Sequence, residues 1–310
     1  MIVIQKKELI PKLKALKPSI GTKLTQNTEG LLFKENMMIA DNHDYTLSMP
    51  FEFSGTPFIL PKTAIEMLDN LPDGEVRIEP SDKDVTIKSR AGTSKFSTVP
   101  FTQFHLSSTL QLINPNSEIV FSACTISDML SRVVYACASD NSVHSGILLD
   151  CDGETVNAVA MDGYRLAWSS TKNNMAFRAV IPAVAVRAFI SLCQTGSVKV
   201  VAGEKSILLQ TDDFTISTRQ LKGNFVDYNA AVPKNYTSHV AVDRAELIAA
   251  LTPRELYSAM GFPATYIIDV DTMGRAISRK DQVARCGNAV PPPLAAAMVL
   301  ANLPEWCMAA

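Results

Sequence analysis

Cysteine and histidine are the residues of this chain that could act as nucleophiles or metal ligands. The six cysteines are scattered and form no C-x-x-C pair; they are Cys124, Cys137, Cys151, Cys193, Cys286 and Cys307. The four histidines, His43, His105, His144 and His239, do not cluster with them along the chain. Because metal sites draw on closely spaced thiolates and imidazoles, we expect no metal site and mostly buried, reduced thiols.

Lysines near the start of the chain suggest a different chemistry, which is electrostatic contact with phosphates. The net charge of −2 argues against a protein that coats nucleic acid over its whole surface. The first predicted helix nevertheless carries Lys6, Lys7, Lys12, Lys14 and Lys17. A local basic face on a mildly acidic body suits nonspecific contact with nucleic acid. A solvated basic face on an ordinary helix would give the same pattern.

The composition predicts a globular protein of two or three domains. Hydrophobic residues make up 47% of the chain and charged residues 19%. No apolar run approaches the roughly 20 residues that span a bilayer, so we expect no membrane segment. The first residues lack the pattern of a secretory signal. We therefore expect the protein in the cytoplasm.

The chain contains an internal repeat, which organises the helices and strands that carry the candidate residues. The segments that begin at ILP (59–61) and VIP (180–182) both predict a strand, a proline, an amphipathic helix and alternating strands. Pro61 and Pro182 lie 121 positions apart, and so do Phe104 and Phe225. Two equal spacings in one alignment indicate a repeat of about 120 residues.

The domain openings repeat as well. Residues 2–13, 119–130 and 240–251 each predict a short strand followed by an amphipathic helix, and the third unit breaks off near Leu251. In the second opening, Ile126, Met129, Leu130 and Val133 have helical spacing. Strands such as the one with Val85 and Ile87 alternate apolar and polar residues. The pattern predicts an α+β fold with helices on one face of antiparallel sheets.

Several motifs in this repeat resemble the DNA polymerase III beta subunit, the bacterial sliding clamp, over about residues 1–251. The most specific are MDGYRLA (161–167) and LKGNFVDYNAAVP (221–233); LPDGEVRIE (71–79) and SRAGTSKFSTVPFTQF (89–104) resemble the first domain of that family. The resemblance implies clamp domains at residues 1–116 and 117–235. Residues 236–310 would then join the start of a third clamp domain to an unrelated tail.

The resemblance also implies function: a processivity factor for DNA replication, in which six such domains close into a ring around duplex DNA. The inner helices would contact phosphates without sequence preference. The candidates for DNA contact are Lys6, Lys7, Lys12, Lys14, Lys23, Arg132 and Arg187. For each of them, a solvated basic face remains the alternative.

Clamps of this family also grip short peptides of DNA polymerase and clamp loader in an apolar groove. Carried over residue by residue, the groove would include Met161, Gly163, Tyr164, Arg165, Leu166 and Pro233. Tyr164 stands where the family commonly has histidine. The family also builds this groove from its third domain, so we expect it to be incomplete or differently closed. Plain core and turn packing is the alternative for Leu166 and Pro233.

The tail, at about residues 253–300, resembles the last two motifs of DNA cytosine-5 methyltransferases. RELYSAMGFPATYII (254–268) and GNAVPPPLAAAM (287–298) stand in that family's order, although Ala284 departs from its pattern. The resemblance implies that Asn288 borders an S-adenosylmethionine site, if the tail is functional.

Methyl transfer to cytosine needs further parts that this sequence lacks. No proline precedes a cysteine, Glu35-Asn36 is followed by methionine, and Phe53-Ser54-Gly55-Thr56-Pro57 lacks the last glycine of a cofactor loop. We therefore expect no enzyme activity from the chain alone and no cofactor. The tail either completes a split methyltransferase in trans or packs as a remnant, and a decoy of clamp partners is a third hypothesis.

Two complete units per chain affect the expected assembly. A ring of six domains needs three copies of a two-domain chain, whereas a tail that mimics a third domain would allow two copies. We expect a homo-oligomeric ring, as a trimer, with a dimer or a ring that fails to close as the alternatives.

Overall fold

The first repeat is a set of short strands with two helices. The structure, a computed structural model, describes residues 1–22, 29–106, 117–140, 142–172, 176–203, 205–231, 252–259, 262, 265–271 and 274–288. The elements of the first repeat are β1 (Ile2–Gln5), α1 (Lys6–Leu16), β2 (Gly30–Lys34), β3 (Met37–Asp41), β4 (Tyr45–Pro50), β5 (Phe58–Pro61), α2 (Lys62–Asn70), β6 (Glu75–Pro80), β7 (Asp84–Ser89) and β8 (Gly92–Ser97).

The second repeat has the same elements in the same order. They are β9 (Ser117–Ser122), α3 (Ala123–Val133), β10 (Gly146–Asp152), β11 (Thr155–Met161), β12 (Leu166–Lys172), β13 (Ala176–Pro182), α4 (Ala183–Leu192), β14 (Ser197–Ala202), β15 (Ser206–Gln210) and β16 (Thr215–Arg219). A short helix, α5 (Tyr228–Ala231), follows. The predicted α+β architecture of antiparallel sheets with helices is confirmed.

The strands form three antiparallel sheets. Two of them have four strands each, in the orders β1-β6-β7-β8 and β12-β11-β10-β13. The third has eight strands, in the order β5-β2-β3-β4-β16-β15-β14-β9. The eight-stranded sheet therefore takes four strands from each repeat. The sequence pattern did not predict this sharing.

The junction between the repeats is the pairing of β4 with β16. Tyr45 lies opposite Thr218, and Ser48 lies opposite Thr215. The Thr218 hydroxyl donates a hydrogen bond to the backbone oxygen of Asp44 at 2.9 Å. Because backbone hydrogen bonds continue across the junction, the two repeats are joined as one sheet, and residues Met1–Asn229 form one compact unit.

The helices bury the residues that the periodicity predicts. In α3, Ile126, Met129, Leu130 and Val133 are all buried, and the Ser122 hydroxyl caps the helix by accepting a hydrogen bond. In α1 the buried residues are Leu9, Leu13 and Leu16. These leucines and the residues of α3 belong to one hydrophobic core that runs through both repeats.

Two glycines occupy the same crowded place in the two repeats. A Cβ atom on Gly30 would lie 2.7 Å from the backbone oxygen of Leu60, and one on Gly146 would lie 2.6 Å from the backbone oxygen of Ile181. Each glycine begins a strand beside the end of the strand that precedes the second helix. The repeat thus extends to a steric requirement that only glycine meets.

Residues Ala230–Ala310 form a separate unit. Its described part contains α6 (Pro253–Ala259) and α7 (Arg279–Asn288). Thr252 and Glu255 form a capping box, since Glu255 N donates to the Thr252 hydroxyl at 3.3 Å and Thr252 N donates to Glu255 Oε2 at 2.6 Å. Tyr257, Phe262 and Tyr266 pack ring against ring. The predicted boundaries at 116/117 and 235/236 stay predictions.

The thiols in the described part of the chain are free. Cys137, Cys151 and Cys193 are buried and Cys124 is exposed. Burial raises the pKa of Cys137 to about 11 and that of Cys151 to about 12, so neither is a thiolate at neutral pH. No group of cysteine, histidine and carboxylate side chains able to hold a metal occurs among the described residues.

None of the helices that the structure describes is long and apolar enough to cross a membrane.

Candidate functional site

The lysines of α1 differ in how free they are. The Lys6 ammonium donates to the backbone oxygens of Asp69 (3.0 Å) and Leu71, at the end of α2. Lys12 donates to the backbone oxygen of Pro50 at 2.6 Å and lies 5.8 Å from the centroid of the Phe51 ring. These two lysines therefore fasten α1 to its neighbours: Lys6 satisfies unpaired carbonyls at the end of α2, and Lys12 bonds to the end of β4.

Lys7 and Lys14 project further into solvent. Lys7 lies 3.7 Å from Asp73, and its side chain is 77% exposed. Lys14 lies 3.4 Å from Asp69, and its side chain is 63% exposed. Exposed pairs of this kind contribute about 0–1 kcal/mol, so an incoming phosphate can replace either carboxylate. Lys7 and Lys14 are the lysines of α1 best placed to contact an external anion.

The second repeat supplies fewer positive charges from its helices. Arg132 on α3 pairs with Asp128 one turn earlier at 2.9 Å. Arg187 on α4 donates to the backbone oxygen of Val134 at 3.3 Å and is otherwise exposed. Lys23 lies outside the described residues. Positive charge on the helices is thus concentrated on α1, which has four lysines and one glutamate.

The candidate groove is built on the hairpin between β11 and β12. Asp162 Oδ1 accepts hydrogen bonds from the backbone of Tyr164 and Arg165, each at 3.1 Å, and Gly163 has a φ of +85°. The Arg165 guanidinium pairs with Asp162 at 2.9 Å and lies 5.7 Å from the centroid of the Tyr135 ring. This closed turn holds the Tyr164 and Arg165 side chains at the surface.

The apolar members of the groove flank this turn. Met161 and Leu166 lie opposite each other at the ends of β11 and β12. Both pack on a small cluster formed by Leu148, Val159, Val180, Phe225 and Tyr228. Pro233 lies outside the described residues. Six groove residues were predicted, and the structure brings Met161, Gly163, Tyr164, Arg165 and Leu166 together in this hairpin.

Sequence reasoning missed the aromatic residues beside the groove. Trp168 on β12 is 44% exposed, and its indole N–H donates to Asn157 Oδ1 at 2.9 Å. The Tyr228 ring meets the Trp168 ring edge to face at 5.3 Å. Burial, followed by the hydrogen bond to Asp150, raises the pKa of Tyr228 to about 12. The only sequence signal was one tryptophan in a strand whose neighbours are serine and alanine.

Comparison with known proteins bears on this part of the chain. Residues 122–227 match the family described as "DNA polymerase III beta subunit, central domain". This region is similar to the central clamp domain of that family. It contains the whole hairpin of the candidate groove and helices α3 and α4.

Curated relatives named beta sliding clamp extend the similarity over most of the chain. The protein of Synechococcus elongatus is 26% identical over 212 residues, which cover 64% of this chain and 56% of that protein. The Escherichia coli protein is 24% identical over 238 residues, or 72% of this chain and 63% of that protein. The chain thus spans a little over half the length of these relatives.

Solved structures show the same fold. The DNA polymerase III subunit beta of Pseudomonas aeruginosa superimposes with a TM-score of 0.73 at 21% identity, covering 84% of this chain and 73% of that one. The DNA polymerase sliding clamp of Bacillus subtilis gives 0.66 at 17% identity, covering 75% and 67%. The chain therefore has the sliding-clamp fold.

The tail lies outside the family match, which ends at residue 227. Asn288 is the last residue of α7, and its side chain lies outside the described part. The resemblance of residues 253–300 to methyltransferases stays a prediction.

Proposed function

We propose that this chain is a sliding-clamp-type processivity factor that encircles duplex DNA for a DNA polymerase. The observation that carries the proposal is the pair of clamp-fold repeats joined through one continuous eight-stranded sheet. Such a junction holds neighbouring domains at a fixed angle, which a closed ring requires. Relatives of this chain named beta sliding clamp support the same function.

The decisive experiment compares retention of the protein on nicked circular and linear DNA. An encircling protein stays on the circle and slides off the ends of the linear form. Equal retention on both forms would contradict encirclement and indicate binding to the DNA surface instead. A protein that binds neither form but competes for clamp-binding peptides would support the decoy hypothesis.

DNA contact is proposed for the exposed basic residues of the helices, which are Lys7, Lys14, Arg132 and Arg187. Lys6 and Lys12 would contribute charge while holding α1 in place, and Lys23 remains a candidate. Because these contacts would be made to phosphates, binding should be nonspecific and should weaken as salt rises.

Replacing Lys7 and Lys14 with alanine is expected to weaken DNA binding and to flatten its salt dependence. The slope of log K against log salt should fall by about 2, since each phosphate contact contributes roughly 0.9. The matched control replaces Lys88 and Lys199, strand lysines that also pair with carboxylates, at 2.7 and 2.8 Å. Fluorescence anisotropy over a salt series measures both variants. Equal loss in the control would assign the effect to net charge alone.

We propose the groove around Met161, Gly163, Tyr164, Arg165 and Leu166, with Pro233, as the surface for short peptides of the DNA polymerase and clamp loader. The apolar side chains of Met161 and Leu166 suit an aliphatic side chain of the peptide. The Arg165 guanidinium and the Tyr164 phenol beside them suit polar groups on either side of it.

Ring closure would use two of the edge strands, β12 and β8. Among the described residues, β12 pairs only with β11, and β8 pairs only with β7. The repeat places β12 where the first repeat has β4, and β8 where the second has β16. We therefore propose that copies add head to tail, with β12 of one pairing with β8 of the next. A trimer or a dimer would result, and light scattering would distinguish them.

The register of this contact follows from the internal junction. Ser48 lies opposite Ile39 in the first repeat, as Trp168 lies opposite Val159 in the second. The hydrogen bonds Thr98 N to Lys83 O and Gln220 N to Lys205 O likewise align the ends of β8 and β16. Transferring the pairs of the junction places Thr93 opposite Trp168 and Phe96 opposite Arg165.

For the tail we propose no enzyme activity of its own. The chain is expected to transfer no methyl group from labelled S-adenosylmethionine to DNA, because the nucleophile, acid and cofactor loop of cytosine methyltransferases are absent from the sequence. Methyl transfer after mixing with a fragment that carries those motifs, and its loss in Asn288→Ala, would support complementation in trans. We also propose a cytoplasmic location, which goes with the proposed clamp function.

A further inference from the structure

A cleft of about 530 Å³ lies at the junction between the repeats, away from the groove at Met161–Leu166. The first repeat contributes the turn between β3 and β4, with His43 and Asp44. The second repeat contributes the start of α4, the end of β16 and the segment after α3. The cleft therefore exists only because the two repeats are joined.

The turn that forms one side of the cleft repeats the turn of the candidate groove. Asn42 Oδ1 accepts hydrogen bonds from the backbone of Asp44 and Tyr45, each at 3.1 Å, as Asp162 does in the second repeat. Asn42 N donates to Tyr45 O at 3.3 Å, the same bond that Asp162 N makes to Arg165 O. At the junction cleft, residues of the second repeat form the side opposite this turn.

The floor of the cleft is apolar. Pro182, Ala183 and Val184 line it from the start of α4, and Ala138 and Leu221 line it from the adjoining segments. Val184, in the first turn of α4, is 41% exposed and so accessible to a ligand. This surface suits one aliphatic side chain of a ligand.

The rim of the cleft is acidic on both sides. Asp44 and Asp140 are exposed, and neither forms a salt bridge with a lysine or arginine in the described part of the chain. The hydroxyl and backbone N–H of Ser142 hold the pKa of Asp140 below its usual value, so this carboxylate is charged. Arg219 also lines the cleft but already has an interaction partner.

His43 adds an unused polar atom. Its Nε2 is shielded from solvent and has no hydrogen-bond partner among the described residues, while its ring stacks on His105 at 5.5 Å. A shielded nitrogen without a partner is uncommon in folded proteins.

We propose that this junction cleft binds a short linear peptide that carries a lysine or arginine beside an aliphatic residue. The basic side chain would lie between Asp44 and Asp140, and the aliphatic one would contact Val184. The proposal goes beyond the clamp function, because it adds a second peptide surface that needs neither ring closure nor the groove at Met161–Leu166.

The test uses the full chain and a fluorescein-labelled peptide, Gly-Ser-Leu-Lys-Leu-Ser-Gly, with a second peptide in which glutamate replaces the lysine. Fluorescence anisotropy should show saturable binding of the lysine peptide and at least about tenfold weaker binding of the glutamate peptide. The double variant D44N/D140N should lower the affinity about five- to tenfold. Val184→Trp should abolish binding by filling the cleft.

The matched control is D212N/D213N, which removes two exposed carboxylates from the turn before β16 and should bind as the parent chain does. Circular dichroism confirms that each variant is folded. The proposal is overturned if the lysine peptide shows no saturable binding below about 1 mM, or if both double variants lose affinity equally. Retention on circular DNA should be unchanged in D44N/D140N, so failure here leaves the clamp proposal standing.

Discussion

Trp168→Pro is expected to abolish the self-association of this chain, whereas Trp168→Ala should reduce it far less. The expected loss is roughly 2–4 kcal/mol, or about 30- to 1,000-fold in the association constant. Trp168 lies on β12, the open edge proposed to pair with β8 of a second copy.

The reason lies in the direction of one backbone N–H. Asp162 N donates to Arg165 O at the turn, and bonding alternates along an antiparallel pair. The N–H of Trp168 therefore points away from β11, toward the open edge. Proline removes that donor and places its ring in the path of an added strand, yet it breaks no bond to β11.

Alanine at Trp168 is the matched control. Both substitutions remove the indole, its hydrogen bond to Asn157 and its contact with Tyr228, so the difference between them reports the edge alone. Analytical ultracentrifugation over a concentration series measures association, and retention on circular DNA measures the consequence. If the two variants associate equally, β12 is not the contact between copies.

Gly146→Ala is expected to lower the free energy of unfolding by about 3 kcal/mol. The added methyl group would lie 2.6 Å from the backbone oxygen of Ile181, 2.8 Å from Leu221 Cδ1 and 2.9 Å from Val180 Cγ1. The oxygen belongs to β13, which pairs with β10 along seven residues, so it cannot move without disturbing that ladder. The steric strain therefore lowers the stability of the folded state.

Gly153→Ala is the control that separates the steric clash at Gly146 from the general cost of replacing a glycine with alanine. Gly153 has a φ of +97° and open space around it, so its substitution should cost only about 1–2 kcal/mol. Gly30→Ala should resemble Gly146→Ala, since the first repeat has the same close approach. Urea unfolding with a two-state fit measures all three. A smaller effect at Gly146 than at Gly153 would contradict the steric argument.

Local features of the fold were accessible from the sequence because each depends on neighbours along the chain. The spacing of Ile126, Met129, Leu130 and Val133 predicts a helix with one buried face, and all four are buried in α3. Alternation at Val85 and Ile87 predicts a half-buried strand, and both are buried in β7. The motif resemblance to sliding clamps is supported by the family match to residues 122–227.

The candidate site was predicted less completely. The charges of Lys6 and Lys14 are visible in the sequence, but their partners are not. Lys6 caps α2 through backbone oxygens more than 60 positions away, while Lys14 remains exposed. Trp168 was missed because its proposed role depends on its position on an edge strand. Whether a strand lies at the edge of a sheet depends on how the whole chain folds, which the local sequence does not show.

The sequence by itself determined that the chain repeats and where many of its helices and strands lie, and the family resemblance indicated the segment that holds Tyr164 and Arg165. The repeat and its elements follow from short-range periodicity and from spacing between like motifs. Only the tertiary structure decided that β4 and β16 join the repeats into one sheet, that β12 and β8 are edge strands among the described residues, and that an acidic cleft lies at the junction. The shared sheet and the cleft depend on pairing between strands more than 160 positions apart, and the hydrogen bonds of a strand edge carry no signature in its side chains.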